Sequence, residues 1–239
     1  MVKIFNTKEE ITSQAADLFV TAAHNAIEKR ARFVVALTGG SSPIALYKLL
    51  ATPAYQEKID WEKVFVFWGD ERWVPLDDAL SNAKMANDTL LSHVNIPKNN
   101  IFPMYKQGVS AEAYALEYEK SIKNITGEGG QFDLILLGMG EDGHTASLFP
   151  GQAVLQEQHK WVAAYYLESQ NMFRITLTAP IINKAKQILV LTYGENKAHA
   201  LNEVLNGAYN PEKYPTQLIK PSDGELFFLT DKAATTRQR

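Results

Sequence analysis

The chain has 239 residues, 46% of them hydrophobic and 21% charged, with 24 Lys and Arg against 27 Asp and Glu and a net charge of −3. That length buries a sizeable core as one large domain or two small ones, and the absence of any basic run argues against a nucleic-acid partner. With no Cys, disulfides, thiolate nucleophiles and thiolate-held metals are excluded, and no apolar stretch nears the ~20 residues that span a bilayer; a cytoplasmic protein with no membrane partner is expected.

In chain order, the opening "MVKIFNTKEEITSQ" turns polar within six residues and carries no signal-peptide core. Thr7-Lys-Glu-Glu10 reads as a capping box, in which a hydroxyl and a carboxylate each cover a free N–H at a helix start. Ile11, Ala15, Leu18, Phe19, Ala22 and Ile27 then recur at helical spacing to about Arg30. "FVVAL" (33–37) is a short β-branched strand, followed by Thr-Gly-Gly-Ser-Ser-Pro and a helical "IALYKLL". "VFVFW" (64–68) is the next strand and runs into Gly-Asp-Glu-Arg, with a helix expected from Ser81 to His93. A helix over about Ser110–Ile125 precedes the strand "FDLILL" (132–137). Further strands are expected at 161–166, 174–178, 187–192 and 225–230, with a helix at about Asn196–Asn206. The Gly127–Gly130 and Asn206–Pro215 stretches are loops too short to separate domains. Apolar strands alternating with helices predict a mostly parallel sheet in an α/β sandwich. Three polar, glycine-containing turns, at Thr38–Ser42, Gly69–Arg72 and Gly138–His144, all follow strands. In an open parallel sheet the carboxyl ends of the strands border the ligand crevice, so these turns predict one site.

The third turn, "GMGEDGHTASLFP" (138–150), contains a literal G-x-G-x-x-G. Glu141 and Asp142 occupy its variable positions, where carboxylates would repel a pyrophosphate, and Pro150 limits any following helix. A dinucleotide cradle is therefore disfavoured. Asp142 lies two residues from His144 on a glycine-rich turn, and a carboxylate that orients an imidazole makes it a competent general base. His24, His93 and His159 lack such a setting and read as structural. Asp70, Asp142 and His144 could in principle share a metal, but no paired-His spacing supports it. No G-x-S-x-G elbow is present for a serine hydrolase. What remains is direct activation of water by histidine. Gly39 and Gly40 allow close backbone approach, Ser41 and Ser42 supply hydroxyls and N–H groups, and Pro43 suits a helix start, apt for a phosphate or sugar phosphate; a serine-capped turn without a ligand fits the same residues. In "FWGDERWVP", Asp70, Glu71 and Arg72 read either as an internal ion pair or as an Arg placed for a bidentate anion contact.

"ALTGGSSP", "GDERWVP" with Ser81-Asn82, and "LLGMGEDGHTASLFP" resemble the signature turns of the 6-phosphogluconolactonases, and "RITLTAPIIN", "ENKAHALNEVLNG", "YPTQLIKP" and "GELFFLTDKAA" extend the similarity over essentially the whole chain. The resemblance implies a single domain over 1–239, a three-layer Rossmann-like α/β sandwich, and hydrolysis of 6-phosphogluconolactone in the oxidative pentose phosphate pathway without metal or organic cofactor. It implies His144 as general base with Asp142 orienting it, and Asp70 and Arg72 in the catalytic group. Arg72 or turn N–H groups would hold the oxyanion. The sugar phosphate would rest on Gly39, Gly40, Ser41 and Ser42, with Arg174 and Lys197 as cations, in a monomer or small homo-oligomer. One departure stands out: Glu168-Ser-Gln-Asn-Met-Phe-Arg174 lacks the Pro/Lys-rich segment of many members and so a lysine that in some contacts phosphate. The alternative within the wider group is a glucosamine-6-phosphate deaminase, whose turn continues to a catalytic Glu; here that stretch is "TASLFP", with Phe149 and no carboxylate.

Overall fold

A computed structural model describes residues 1–236. Nine strands follow in chain order: β1 (Val2–Phe5), β2 (Phe33–Leu37), β3 (Val64–Trp68), β4 (Asp70–Arg72), β5 (Leu134–Gly138), β6 (Val162–Leu167), β7 (Met172–Leu177), β8 (Gln187–Thr192) and β9 (Glu225–Asp231). The helices are α1 (Lys8–Arg30), α2 (Ile44–Leu50), α3 (Pro53–Gln56), α4 (Asn82–Thr89), α5 (Ala111–Thr126), α6 (Ala179–Ile182), α7 (Ala198–Asn206) and α8 (Lys232–Thr235). Six strands form one sheet in the order β1-β9-β8-β5-β2-β3, and every pairing in it is parallel. All five residues of β2 are buried, as a strand covered on both faces requires.

Local chemistry explains the starts of helices α1, α4 and α5. The Thr7 hydroxyl accepts from the Glu10 N–H at 3.1 Å, while the Glu10 carboxylate accepts from the Asn6 N–H at 2.8 Å, one residue earlier than a regular capping box. Ile11, Ala15, Phe19, Ala23 and Ala26 form the buried stripe of α1. Ser81 and Ser110 cap α4 and α5 by accepting from the N–H groups three residues on, at 3.1 and 3.2 Å.

The structure corrects the sequence reading in five places. β1 was not anticipated; it is a short, half-exposed edge strand beside β9. The helix expected over 81–93 ends at Thr89 and continues only as a 3-10 turn over Leu91–His93, and that expected from Asn196 begins at Ala198 after a 3-10 turn over Glu195–Lys197. Pro43 stands at the N-cap of α2 rather than inside it, and neither serine before it makes a capping hydrogen bond. Gly69–Arg72 is not a turn: Asp70–Arg72 is β4, which pairs antiparallel with β7. With β6 these make a separate three-stranded antiparallel sheet, which takes up the strands expected at 161–166 and 174–178. The short connection between β6 and β7 dictates this, because parallel neighbours need a crossover of a dozen or more residues.

Gly69 joins the two sheets. Its N–H donates to the Leu37 carbonyl of β2 at 2.8 Å and its carbonyl accepts from the Leu177 N–H of β7 at 2.8 Å. The chain passes from β2 to β3 on one side and then returns to β5 on the other, which makes the β2/β5 boundary a topological switch point. Outside the carboxyl ends of those two strands is where such sheets bind ligands.

Candidate active site

A cleft of about 260 Å³ opens at that boundary. The Thr38–Ser42 turn after β2 forms one wall and the turn after β5 another; Asp70, Arg72 and Arg174 come from the small sheet, and Lys197 from the turn before α7. Of the residues given a catalytic or phosphate-binding role in the sequence analysis, all line this cleft except Asp142, which is paired to His144.

The turn after β5 is built around the imidazole. No helix follows the strand; instead the Gly140 N–H donates to the His144 carbonyl at 2.8 Å and the Gly143 N–H to the Gly140 carbonyl at 3.1 Å. Gly143 has φ +79, a conformation that favours glycine. A Cβ on Gly140 would lie 2.0 Å from His144 Nδ1 and 2.5 Å from Asp142 Oδ1, so only glycine leaves room for the pair. His144 Nδ1 and Asp142 Oδ1 are 2.6 Å apart, and the same oxygen accepts from the His144 backbone N–H at 3.1 Å. Burial pushes the Asp142 carboxyl up, but the hydrogen bond and charge of His144 outweigh it and hold the group below the usual carboxylate range. An ionised carboxylate at Nδ1 favours the tautomer that carries its proton there and leaves Nε2 free to accept one. Phe149 stacks on the imidazole with ring centroids 4.1 Å apart and also carries the Arg174 guanidinium 5.6 Å from its centroid. Downstream, the Thr145 hydroxyl donates to the Gly138 carbonyl at 2.8 Å, and Ala146 holds a left-handed φ of 47 between two buried neighbours.

β4 works by strand alternation. Asp70 and Arg72 point to one face and line the cleft; Glu71 points to the other. Glu71 is fully buried and accepts from the backbone N–H groups of Arg72, Asn82 and Ala83 at 2.8 Å each and from the Ser81 hydroxyl at 3.1 Å. Burial pushes its carboxyl up, the three N–H groups pull it down, and Asp70 adds to the rise. It pins the first turn of α4, which places Asn82 in the cleft, where its amide donates to the Asp70 carbonyl at 3.0 Å. A Cβ on Gly39 would sit 1.8 Å from Asn82 Oδ1, so the glycine serves this close approach.

The internal ion pair that was one of the two readings of Asp70-Glu71-Arg72 is not formed. Asp70 instead accepts from the Ser147 hydroxyl at 2.7 Å and faces Arg174 NH1 at 4.0 Å, while Arg72 NH1 donates to the Leu80 carbonyl at 2.9 Å. Arg72 and Arg174 are cross-strand partners, and the Nε–H of each is buried without an acceptor. Burial lowers the Arg174 basicity most, Asp70 opposes the change and Arg72 adds to it. Two adjacent guanidiniums with unmet donors form a wall suited to an anion. The amide oxygen of Gln170, in the segment that lacks the lysine, accepts from Arg174 NH2.

Asn82, Ser147, Phe149 and Gln170 were assigned no role from sequence. Asn82, Ser147 and Phe149 lie inside the quoted motifs and Gln170 in the segment that departs from the family pattern, which was the available signal. His24, His93 and His159 stand outside the cleft. Among the described residues no group of three or more His, Asp or Glu side chains is arranged to hold a metal ion, so Asp70, Asp142 and His144 do not converge as a ligand set. No helix among these residues is long and apolar enough to cross a membrane.

A parallel α/β sheet with an imidazole–carboxylate pair and a cationic wall at its switch point defines an α/β protein built to act on a small anionic molecule. The chain belongs to the family described as glucosamine-6-phosphate isomerases/6-phosphogluconolactonase, whose sequence profile matches residues 6–228. It is 38% identical over 237 residues, 98% of this chain and 96% of the relative, to a Synechocystis sp. protein named 6-phosphogluconolactonase. Among solved structures it is similar to the 6-phosphogluconolactonase from Leishmania guyanensis, with TM-score 0.85 and 27% identity over 98% of this chain and 97% of that one. The enzyme of that name from Trypanosoma cruzi superposes with TM-score 0.83 at 28% identity, covering 98% and 94%.

Proposed function

We propose that this protein hydrolyses 6-phospho-D-glucono-1,5-lactone to 6-phospho-D-gluconate, with His144 as the general base and no metal ion in the chemical step. Family membership and the relatives' names support the substrate. The observation that carries the mechanism is the His144–Asp142 pair, 2.6 Å apart, beside the serine–glycine turn and two guanidiniums whose Nε–H groups have no acceptor.

In this reading Nε2 of His144 takes a proton from water as its oxygen bonds to C1 of the lactone, and Asp142 stabilises the imidazolium. Negative charge grows on the former carbonyl oxygen, where Arg72 and backbone N–H groups of the turns are the donors. When the C1–ring-oxygen bond breaks, the imidazolium returns its proton to the ring oxygen, which becomes the product's hydroxyl. Arg174, Lys197 and the Gly39–Ser42 turn receive the phosphate. Asp70 holds Arg174 and Ser147 in place.

The experiment is lactone hydrolysis measured above the spontaneous rate. His144→Ala is expected to lower kcat by about 10²–10⁴-fold, the range for a positioned general base; an unchanged rate refutes the assignment. Ammonia release from glucosamine 6-phosphate, without lactonase turnover, would replace the reading with the deaminase. Phe149, stacked on the imidazole where that chemistry calls for a carboxylate, speaks against this outcome.

A further inference from the structure

The peptide unit between Gly143 and His144 is gripped at both ends. Its N–H donates to Asp142 Oδ1 at 3.1 Å, while its carbonyl accepts twice from Thr216, at 2.9 Å from the backbone N–H and 2.8 Å from the hydroxyl. Thr216 is 1% exposed and lies 73 residues further along the chain, on a 3-10 turn over Pro215–Leu218. It lies within "YPTQLIKP" and is not among the residues that line the cleft.

The turn that carries Thr216 is itself anchored. The buried Gln217 amide donates to the Glu203 and Ala208 carbonyls at 2.9 and 3.1 Å and accepts from the Asn210 N–H at 2.6 Å. Tyr214, whose N–H donates to the Asn210 carbonyl at 2.9 Å, covers Gly143 so closely that a Cβ on that glycine would lie 3.0 Å from Tyr214 Cδ1. The histidine turn therefore rests against a post tied to the end of α7. Two donors on one carbonyl polarise the peptide and strengthen its N–H as a donor to Asp142. Fixing the peptide plane also fixes where the carboxylate and imidazole meet, and small misplacements there cost rate.

We infer that Thr216 is a positioning residue for the proposed lactonase: its hydroxyl holds the 143–144 peptide in the orientation that sets Asp142 against His144 Nδ1. Its effect on turnover rests on the lactonase reading, but the geometry is measurable without substrate.

The test uses the full chain with 15N-labelled histidine, in which NMR reads the tautomer of each neutral ring. The chain has five His, and His144→Ala assigns the one of interest. Thr216→Val puts a methyl in place of the hydroxyl and keeps the backbone donor; Thr216→Ala removes the hydroxyl without pressing a methyl on the carbonyl; Thr216→Ser keeps it. With Val and Ala the ratio of Nδ1–H to Nε2–H tautomer at His144 should fall about threefold or more, as expected for weakening one hydrogen bond, and Ser should restore it. In lactone hydrolysis, Val and Ala should lower kcat about three- to tenfold with KM within about twofold, and Ser should again recover the loss. A tautomer ratio unchanged in both Val and Ala overturns the inference, as does an equal fall in Ser. Should the wild type show no lactone turnover, the lactonase reading fails while the tautomer ratio still decides the role of Thr216.

Discussion

At the scale of single residues, the proposed active site depends on a side chain that is missing. Gly140 leaves room for the His144–Asp142 pair, and a Cβ there would overlap His144 Nδ1 at 2.0 Å. Gly140→Ala is expected to abolish most turnover while far-UV circular dichroism stays native, because the clash falls on an imidazole that can swing away and not on the sheet. Asp142→Asn should lower kcat by about 10²–10³-fold with KM nearly kept, since the amide holds the wrong tautomer but touches no substrate. Stability carries the same signature. The Asp142 carboxyl is held below the usual range when folded, so its ionised form stabilises the protein above the unfolded value of about 3.9 and the benefit is lost as pH falls through the folded value. The melting-temperature gap between wild type and Asp142→Asn should therefore shrink on acidification; a gap that widens contradicts the sign.

At the scale of elements, β4 shows how three residues divide labour. Alternation sends Asp70 and Arg72 to the cleft and buries Glu71 beneath the first turn of α4. Its shift runs opposite to that of Asp142: the raised folded value means its stabilising contribution is complete below the unfolded value and erodes as pH rises through the folded one. Glu71→Gln is expected to destabilise by about 2–4 kcal/mol in urea titrations at neutral pH, because an amide turns an N–H₂ toward donors that the carboxylate satisfied. It should also lower kcat/KM, since Asn82 rides on the turn Glu71 holds. Unchanged stability would show that the α4 N-terminus finds other acceptors.

At the scale of the whole molecule, the question is whether the two sheets behave as one domain. Gly69 hydrogen-bonds to both, and the buried residues form one cluster that includes Ile175 and Leu177 of the small sheet. A single calorimetric transition with van't Hoff and calorimetric enthalpies equal is expected. Two resolved transitions would assign the small sheet to a separate cooperative unit and withdraw the single-domain reading of 1–239. The sequence anticipated this level unevenly. Buried runs such as 33–37 and helical spacing such as 11–27 are local signals, and they recovered the parallel sheet's inner strands and the longer helices. The short edge strand β1 and the pairing of β4 left no such trace, because three or four residues carry no period and their partners are remote in the chain.

By itself the sequence marked residues with chemical potential and the glycine turns that follow β2 and β5, since residue type, glycine spacing and apolar periodicity are properties of neighbours in the chain. Only the tertiary structure decided that Asp70 pairs with Arg174 and not Arg72, that Glu71 serves α4, that Phe149 backs the imidazole, and that Thr216 grips the Gly143 carbonyl. Those outcomes follow from which strand edges meet and which atoms are left without water, and burial and long-range pairing exist only once the chain has closed on itself.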